Sequence, residues 1–149
     1  MPTVVNKILS WGKRVHETAT MTVVAAALVD GEGRVLLQQR APGRQMAGLW
    51  EFPGGKIEPG ERPEPALVRE LEEELGIGVD EAHLAPAAFA SAPLGDRHLL
   101  LLLYLCRQWR GEPQPLDASA VRWLHPCEMR GLPMPPADEP LIDLLAALL

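Results

Sequence analysis

The chain has 149 residues, close to half of them apolar, and a formal charge of -6. That length fits one domain with a real core, and the acidic balance excludes a general nucleic-acid binder held by a basic face, though not a polyphosphate reached through cations. Cys106 and Cys127, without CxxC spacing, exclude a disulfide framework and a cysteine zinc site and read as reduced thiols of a cytoplasmic protein.

Residues 1–20 show a weak helical spacing through Ile8, Trp11 and Val15 but no long apolar stretch or small-residue cleavage site. They read as a short helix or a disordered extension with no assigned function, not as a secretion signal. A single domain is expected over 21–149. Apolar runs at 21–29 and 35–37 flank Asp30, Gly31 and Gly33 and predict a β-hairpin. A loop rich in Pro, Gly and Arg follows, then LWEFPGG, where Pro53 and two glycines end any strand at Phe52. Pro63 and Pro65 stand at the entrance of a helix whose Ala66, Leu67, Leu71 and Leu75 recur at helical spacing until Gly76 stops it. Further strands are expected near 84–91, 98–107 and 120–124. The apolar run Leu99–Cys106 has the length of a buried strand and is far too short to span a bilayer. The tail reads as an amphipathic helix opening at an N-capping Asp138, with Pro140 tolerated in its first turn. Strands and helices interleave, so the class is α/β or α+β, with no internal repeat or domain linker.

The stretch GGKIEPGERPEPALVRELEEELGI, residues 54–77, crowds glutamates against only three basic side chains, Lys56, Arg62 and Arg69. On a helix, Glu70, Glu73 and Glu74 share a face, and like charges so spaced cost roughly 0.2–0.5 kcal/mol per pair. A positive partner is therefore expected there. Hard divalent cations take carboxylate oxygens, and magnesium prefers a few of them together with water and substrate phosphates. Glu72 points away and reads as solvated. GGK lacks the upstream glycine and the following Ser or Thr of a P-loop. His16, His83, His98 and His125 show no ligand spacing, and Trp50, Trp109 and Trp123 read as packing residues.

Spacing sharpens the chemistry. From Gly55, five residues lead to Glu61, seven more to Arg69 and Glu70, then Leu71, Glu73, Glu74, Gly76 and the aliphatic Ile77. This sequence resembles the signature of the Nudix hydrolases, and GLWEFPGGKIEPGE is similar to their MutT branch, which cleaves nucleoside triphosphates to monophosphate and pyrophosphate. The resemblance implies a mixed β-sheet sandwiched between α-helices, with the signature as a loop–helix–loop. It implies Mg2+ (or Mn2+) held by Glu70, Glu73, Glu74 and the carbonyl of Gly54. Glu61 falls at a position supporting the metal site, and Arg69 at one that ion-pairs a carboxylate of the motif.

Water is the implied nucleophile, and Glu74 and Asp117 both stand as candidates for its base, Asp117 also as a metal ligand. The implied substrate contacts are Arg40, Glu51, Phe52, Arg97 and Asp138. The MutT pattern has Asn at the last of these. An ionised Asp only accepts hydrogen bonds, and a helix N-terminus favours the ionised form. Such an acceptor suits the N1–H and N2–H2 edge of 8-oxoguanine, and also the amine of cytosine or adenine. The expected activity is 8-oxo-dGTP diphosphatase, cleaning the nucleotide pool ahead of DNA replication. The alternatives are a pyrophosphohydrolase for CTP or 5-substituted cytidine triphosphates and a non-catalytic nucleotide-binding module. The expected partner is a small-molecule nucleotide, without stable nucleic-acid or membrane association, for a monomer or homodimer.

Overall fold

The structure, a computed structural model, describes residues 19–149. The expected N-terminal extension lies outside the described residues except for Ala19 and Thr20, and Thr20 already opens the first strand. The strands are β1 (Thr20–Leu28), β2 (Val35–Gln39), β3 (Trp50–Glu51), β4 (Gly54–Lys56), β5 (Ala85–Leu94), β6 (Arg97–Cys106) and β7 (Ala120–Leu124). The helices are α1 (Pro63–Leu75), α2 (Pro126–Met129) and α3 (Glu139–Leu148), with a 3-10 turn at Glu81–His83. No helix among the described residues is long and apolar enough to cross a membrane.

The strands form two sheets, β4-β1-β6-β5 and β3-β2-β7. The first is mixed, because β1 runs parallel to β6 while its other pairings are antiparallel. The hairpin expected from β1 and β2 closes only at its turn. Asp30 accepts the Glu32 and Arg34 N–H groups there, and Val29 bridges Val35. Beyond that bridge the strands part, because the segment Trp50–Lys56 supplies a partner to each. β3 pairs with β2 at Gln38↔Glu51, and β4 pairs with β1 at Ala25↔Gly54. A hairpin does form between β5 and β6. It turns through Gly95 and Asp96 with Gly95 at φ 61, the first central position of a two-residue loop, where positive φ favours glycine.

Helices cover both faces of the strands, as the resemblance implies. Along β1, Val24, Ala26 and Leu28 pack with Leu67, Leu71 and Leu75 of α1, while Ala25, Ala27 and Val29 pack with Leu141, Ile142 and Leu145 of α3. Burial on both faces explains why β1 reads as a continuous apolar run and not as an alternation. β6 lies between β1 and β5, as the Leu99–Cys106 run suggests. The α1 helix starts with Pro63 after an extended Arg62 and ends where Gly76 adopts φ 69 and donates its N–H to the Glu72 carbonyl. Its buried leucines each contribute roughly 1.5–3 kcal/mol by leaving water, which fixes the opposite, glutamate-bearing side of the helix in place. Trp50 is buried, and Trp109 stacks on Trp123 with centroids 5.9 Å apart, both in keeping with packing roles.

Gly54 lies so close to β1 that a Cβ there would sit 2.0 Å from the Val24 carbonyl oxygen. Backbone cannot yield as a side-chain tip can, so Gly54→Ala is expected to destabilise by about 3 kcal/mol or more. In thermal unfolding this corresponds to a midpoint lower by roughly 10 °C. A variant that melts with the native protein would show that β4 can slide away from β1.

Candidate active site

The site is built where β4 passes the flank of α1. The place a Cβ of Gly55 would occupy is filled by the Glu70 carboxylate, with the nearest of its atoms 2.3 Å away. Glycine is therefore what admits Glu70 against the turn. Arg69, one residue earlier, ties the loop to the helix. Its Nε and Nη2 donate to the two oxygens of Glu61 at 2.9 and 2.8 Å, and its Nη1 donates to Glu70 Oε1 at 2.9 Å. Glu61 also accepts the Glu58 N–H at 2.9 Å. The Arg69 hydrogen bonds, with that amide, lower the Glu61 carboxyl to about 2. Glu70 shifts the other way, because burial outweighs its contact with Arg69.

Glu74 sits one turn further along α1. Its Oε2 accepts two hydrogen bonds, from Gly54 N–H at 3.1 Å and from Gln38 Nε2 at 2.9 Å. Burial raises its pKa to about 7 despite these donors. Glu73 stands apart at the rim, its side chain 61% exposed and 3.5 Å from Arg69. Glu72 is exposed, as expected. Among the described residues no three acidic, His or Cys side chains converge into a ready-made cage. The donor set nevertheless fits a hard cation, being carboxylate oxygen on one helix flank beside a turn without side chains.

A small polar cleft of about 80 Å³ opens beside Glu74, lined by Gln38, Arg40, Arg44, Glu51 and Asp117 among others. Glu74 and Asp117, far apart in sequence, therefore share one cavity. Asp117 is half exposed and accepts from Arg44 Nη2 at 2.7 Å. Arg40 donates through Nη1 to both oxygens of Glu51 at 3.1 Å and through Nε to the Gln45 carbonyl at 2.6 Å. Burial raises the Glu51 carboxyl in spite of that pairing. Gln38 and Arg44 are additions to the sequence reading. The signal for Gln38 is its position two residues after Leu36 on the same face of β2, a polar group directed at an apolar layer.

Asp138 differs from expectation in two respects. It occupies the N-cap position of α3, but its side chain makes no capping bond. Its Oδ2 instead accepts the Phe52 N–H at 3.1 Å, with the residue only 6% exposed. The helix-terminus preference for the ionised form is also opposed, since burial raises the carboxyl to about 7. Phe52 is buried, and its backbone lies between β3 and β4, where neither ladder offers an acceptor, so Asp138 clamps the crossing segment. Arg97, in contrast, is an exposed residue at the β5–β6 turn. Leu103, level with Ala25 and so with Gly54, is six residues along β6 from it, roughly 20 Å at strand spacing.

A two-sided layer of strands, carrying a glycine turn and a glutamate-bearing helix in this order, defines the Nudix class of folds. The chain belongs to the NUDIX domain family, whose sequence profile matches residues 19–145. It is 38% identical over 128 residues to the CTP pyrophosphohydrolase of Escherichia coli K12, covering 86% of this chain and 93% of that protein. It is 37% identical over 126 residues to the 8-oxo-dGTP diphosphatase of the same organism, covering 84% and 96%. Among solved structures, the E. coli ORF135 protein superposes with a TM-score of 0.78 at 37% identity, covering 88% of this chain and 91% of that one.

The Asp138 clamp makes a pH-dependent prediction. Its folded pKa, about 7, exceeds the ordinary 3.8, so the folded state binds more protons between those values and stability falls as pH rises through that window. Asp138→Asn keeps an acceptor for the Phe52 N–H and removes the buried charge. Its melting temperature is expected to exceed that of the native protein at pH 8 and to match it near pH 4. Asp138→Leu leaves that N–H unpaired and is expected to melt below Asp138→Asn at both pH values. A flat difference between native protein and Asp138→Asn across pH would refute the buried-charge account.

Proposed function

We propose that this protein is a divalent-metal-dependent hydrolase that cleaves nucleoside triphosphates to monophosphate and pyrophosphate, with 8-oxo-dGTP as the favoured substrate. The observation that carries this reading is the joint placement of Glu70 against Gly55 and of Glu74 against Gly54, with Arg69 bracing the loop. Glu70, Glu73, Glu74 and the Gly54 carbonyl would hold Mg2+ or Mn2+. When bound, such ions neutralise the triphosphate, orient it and acidify water. Arg69 and Glu61 keep the loop fixed while the nucleotide binds. Glu74, which lines the polar cleft beside Gly54, is one candidate to accept the proton of the attacking water. Asp117 is the second candidate, already engaged by Arg44 at the mouth of the cleft.

Base choice turns on Asp138. With Oδ2 engaged by Phe52, Oδ1 is left as the acceptor for a ligand. The two lone pairs of Oδ1 can take both adjacent donors of a guanine-type edge, whereas cytosine offers a single amine beside an acceptor nitrogen that a carboxylate cannot serve, so 8-oxo-dGTP is favoured. Cytidine triphosphates form the second reading, supported by the 38% identity to a CTP pyrophosphohydrolase. Arg40 reaches the nucleotide only by releasing Glu51, and Phe52 contributes a buried wall. Arg97, remote from Gly54 along β6, joins only where the base lies far from the phosphates. The working unit is a single domain over 21–149 acting on the cytoplasmic nucleotide pool.

Chelation by EDTA should abolish pyrophosphate release, with Mg2+ restoring it. Glu73→Gln and Glu74→Gln are each expected to lower kcat on the order of 10²- to 10⁴-fold with the fold intact, and Asp117→Asn far less. Steady-state rates on oxidised and cytidine triphosphates decide the base: a tenfold or greater preference for cytidine nucleotides would overturn the 8-oxo-dGTP reading.

A further inference from the structure

Outside the signature motif, one buried polar side chain is only half satisfied. Gln38 lies in β2, 4% exposed, opposite Glu51 of β3 and Val121 of β7. Its Nε2 donates to Glu74 Oε2, the oxygen that also receives the Gly54 N–H. Its Oε1 is buried and has no hydrogen-bond partner among the described residues. An ionised carboxylate only accepts, so with Glu74 ionised the amide nitrogen faces its Oε2 and the amide oxygen is the atom left over. An unmet buried acceptor lowers stability, and an apolar side chain of similar length would avoid the loss. Gln38 also helps to hold down the Glu51 carboxyl opposite it, yet its Oε1 stays unmet.

We propose that Gln38 is a positioning residue for the hydrolysis, selecting which oxygen of Glu74 is free to act. Two donors converge on Oε2 and occupy it, leaving Oε1 as the open acceptor. Among the described residues Gln38 is the only side chain donating to Glu74. The neighbouring cations are committed elsewhere, Arg40 to Glu51 and Arg44 to Asp117. Without Gln38 the carboxyl group is anchored by the Gly54 N–H alone and rotates about its last bond, exchanging its oxygens. Partners of this outer kind orient the groups that ligate or take protons. The inference rests on the assignment of Glu74 to the reaction.

Gln38→Met removes the amide while keeping length and apolar bulk, and Gln38→Leu guards against a particular misfit of Met. Without metal, both are expected to melt close to the native temperature, the removal of the unmet Oε1 offsetting the donor lost to Glu74. With Mg2+ and nucleotide, kcat is expected to fall on the order of 10-fold and the half-saturating Mg2+ concentration to rise several-fold, with KM for the nucleotide little changed. Isothermal titration of the nucleotide-free protein with Mn2+ should show the same weakening. Native-like kcat and metal affinity in both variants would overturn the proposal. So would melting temperatures that drop along with activity, or failure of both to fold, since either marks Gln38 as a packing residue. Glu74→Gln run in parallel separates the two levels. If it retains full activity, the Glu74 assignment fails; if it is inactive while Gln38→Met is not, only the role of Gln38 fails.

Discussion

Seven residues, Trp50–Lys56, decide the architecture by serving two sheets in succession. The chain pairs with β2, crosses at Phe52 and Pro53, and pairs with β1, so the two sheets open from a common seam. At the crossing, backbone groups leave one ladder before entering the next. The Pro53 carbonyl is met by the Ala26 N–H at 2.9 Å, and the Phe52 N–H by Asp138. A buried amide left unmet costs about 1–3 kcal/mol, which makes the clamp from α3 a condition of the path. Only after this crossing do Gly54 and Gly55 come close enough to α1 to meet Glu74 and Glu70. Fold and site are thus one problem, solved by a short irregular segment between two very short strands.

The second organising feature is how like charges are tolerated at close quarters. Each of the more buried acids has its own donor: Glu70 has Arg69, Glu51 has Arg40, Glu74 has Gln38 with the Gly54 amide, and Asp138 has the Phe52 amide. The arginine-served acids keep a counter-charge. Glu74 and Asp138 have neutral donors only, and these two are raised to about 7. A neutral hydrogen bond offsets less of the desolvation than an ion pair does. The protein therefore contains two kinds of buried carboxyl group within a small volume, one facing a counter-charge and one served by neutral donors alone.

What could be read in the sequence follows the reach of periodicity. The α1 helix, with its leading prolines, its Gly76 stop and its glutamate flank, was legible because thirteen residues carry a 3.6-residue repeat. β6 was legible as an apolar run of strand length. The division into two sheets was not, because β3 and β4 have two and three residues and no pattern to read. The motif spacing marked Gly55, Glu61, Arg69, Glu70 and Glu74, which the fold does gather around one turn, while Glu73 remains at its rim. Asp138 stands out by residue type, but its clamping of Phe52 depends on contact across eighty-six residues, and burial works against the ionised form that local rules suggest. Gln38 carries little sequence signal, because a glutamine near the end of a strand looks like an edge of the pattern.

The parallel pairing of β1 with β6 has a cost in time. Thr20 lies opposite His98, so the first strand is synthesised long before the partner that covers its inner edge. Non-local parallel pairing slows folding because a long loop must close before any contact is gained. During that interval a run of valine, alanine and leucine, destined for burial on both faces, lacks its parallel partner. The sequence that makes a central strand in the finished molecule is thus also an adhesive segment while the molecule is being made.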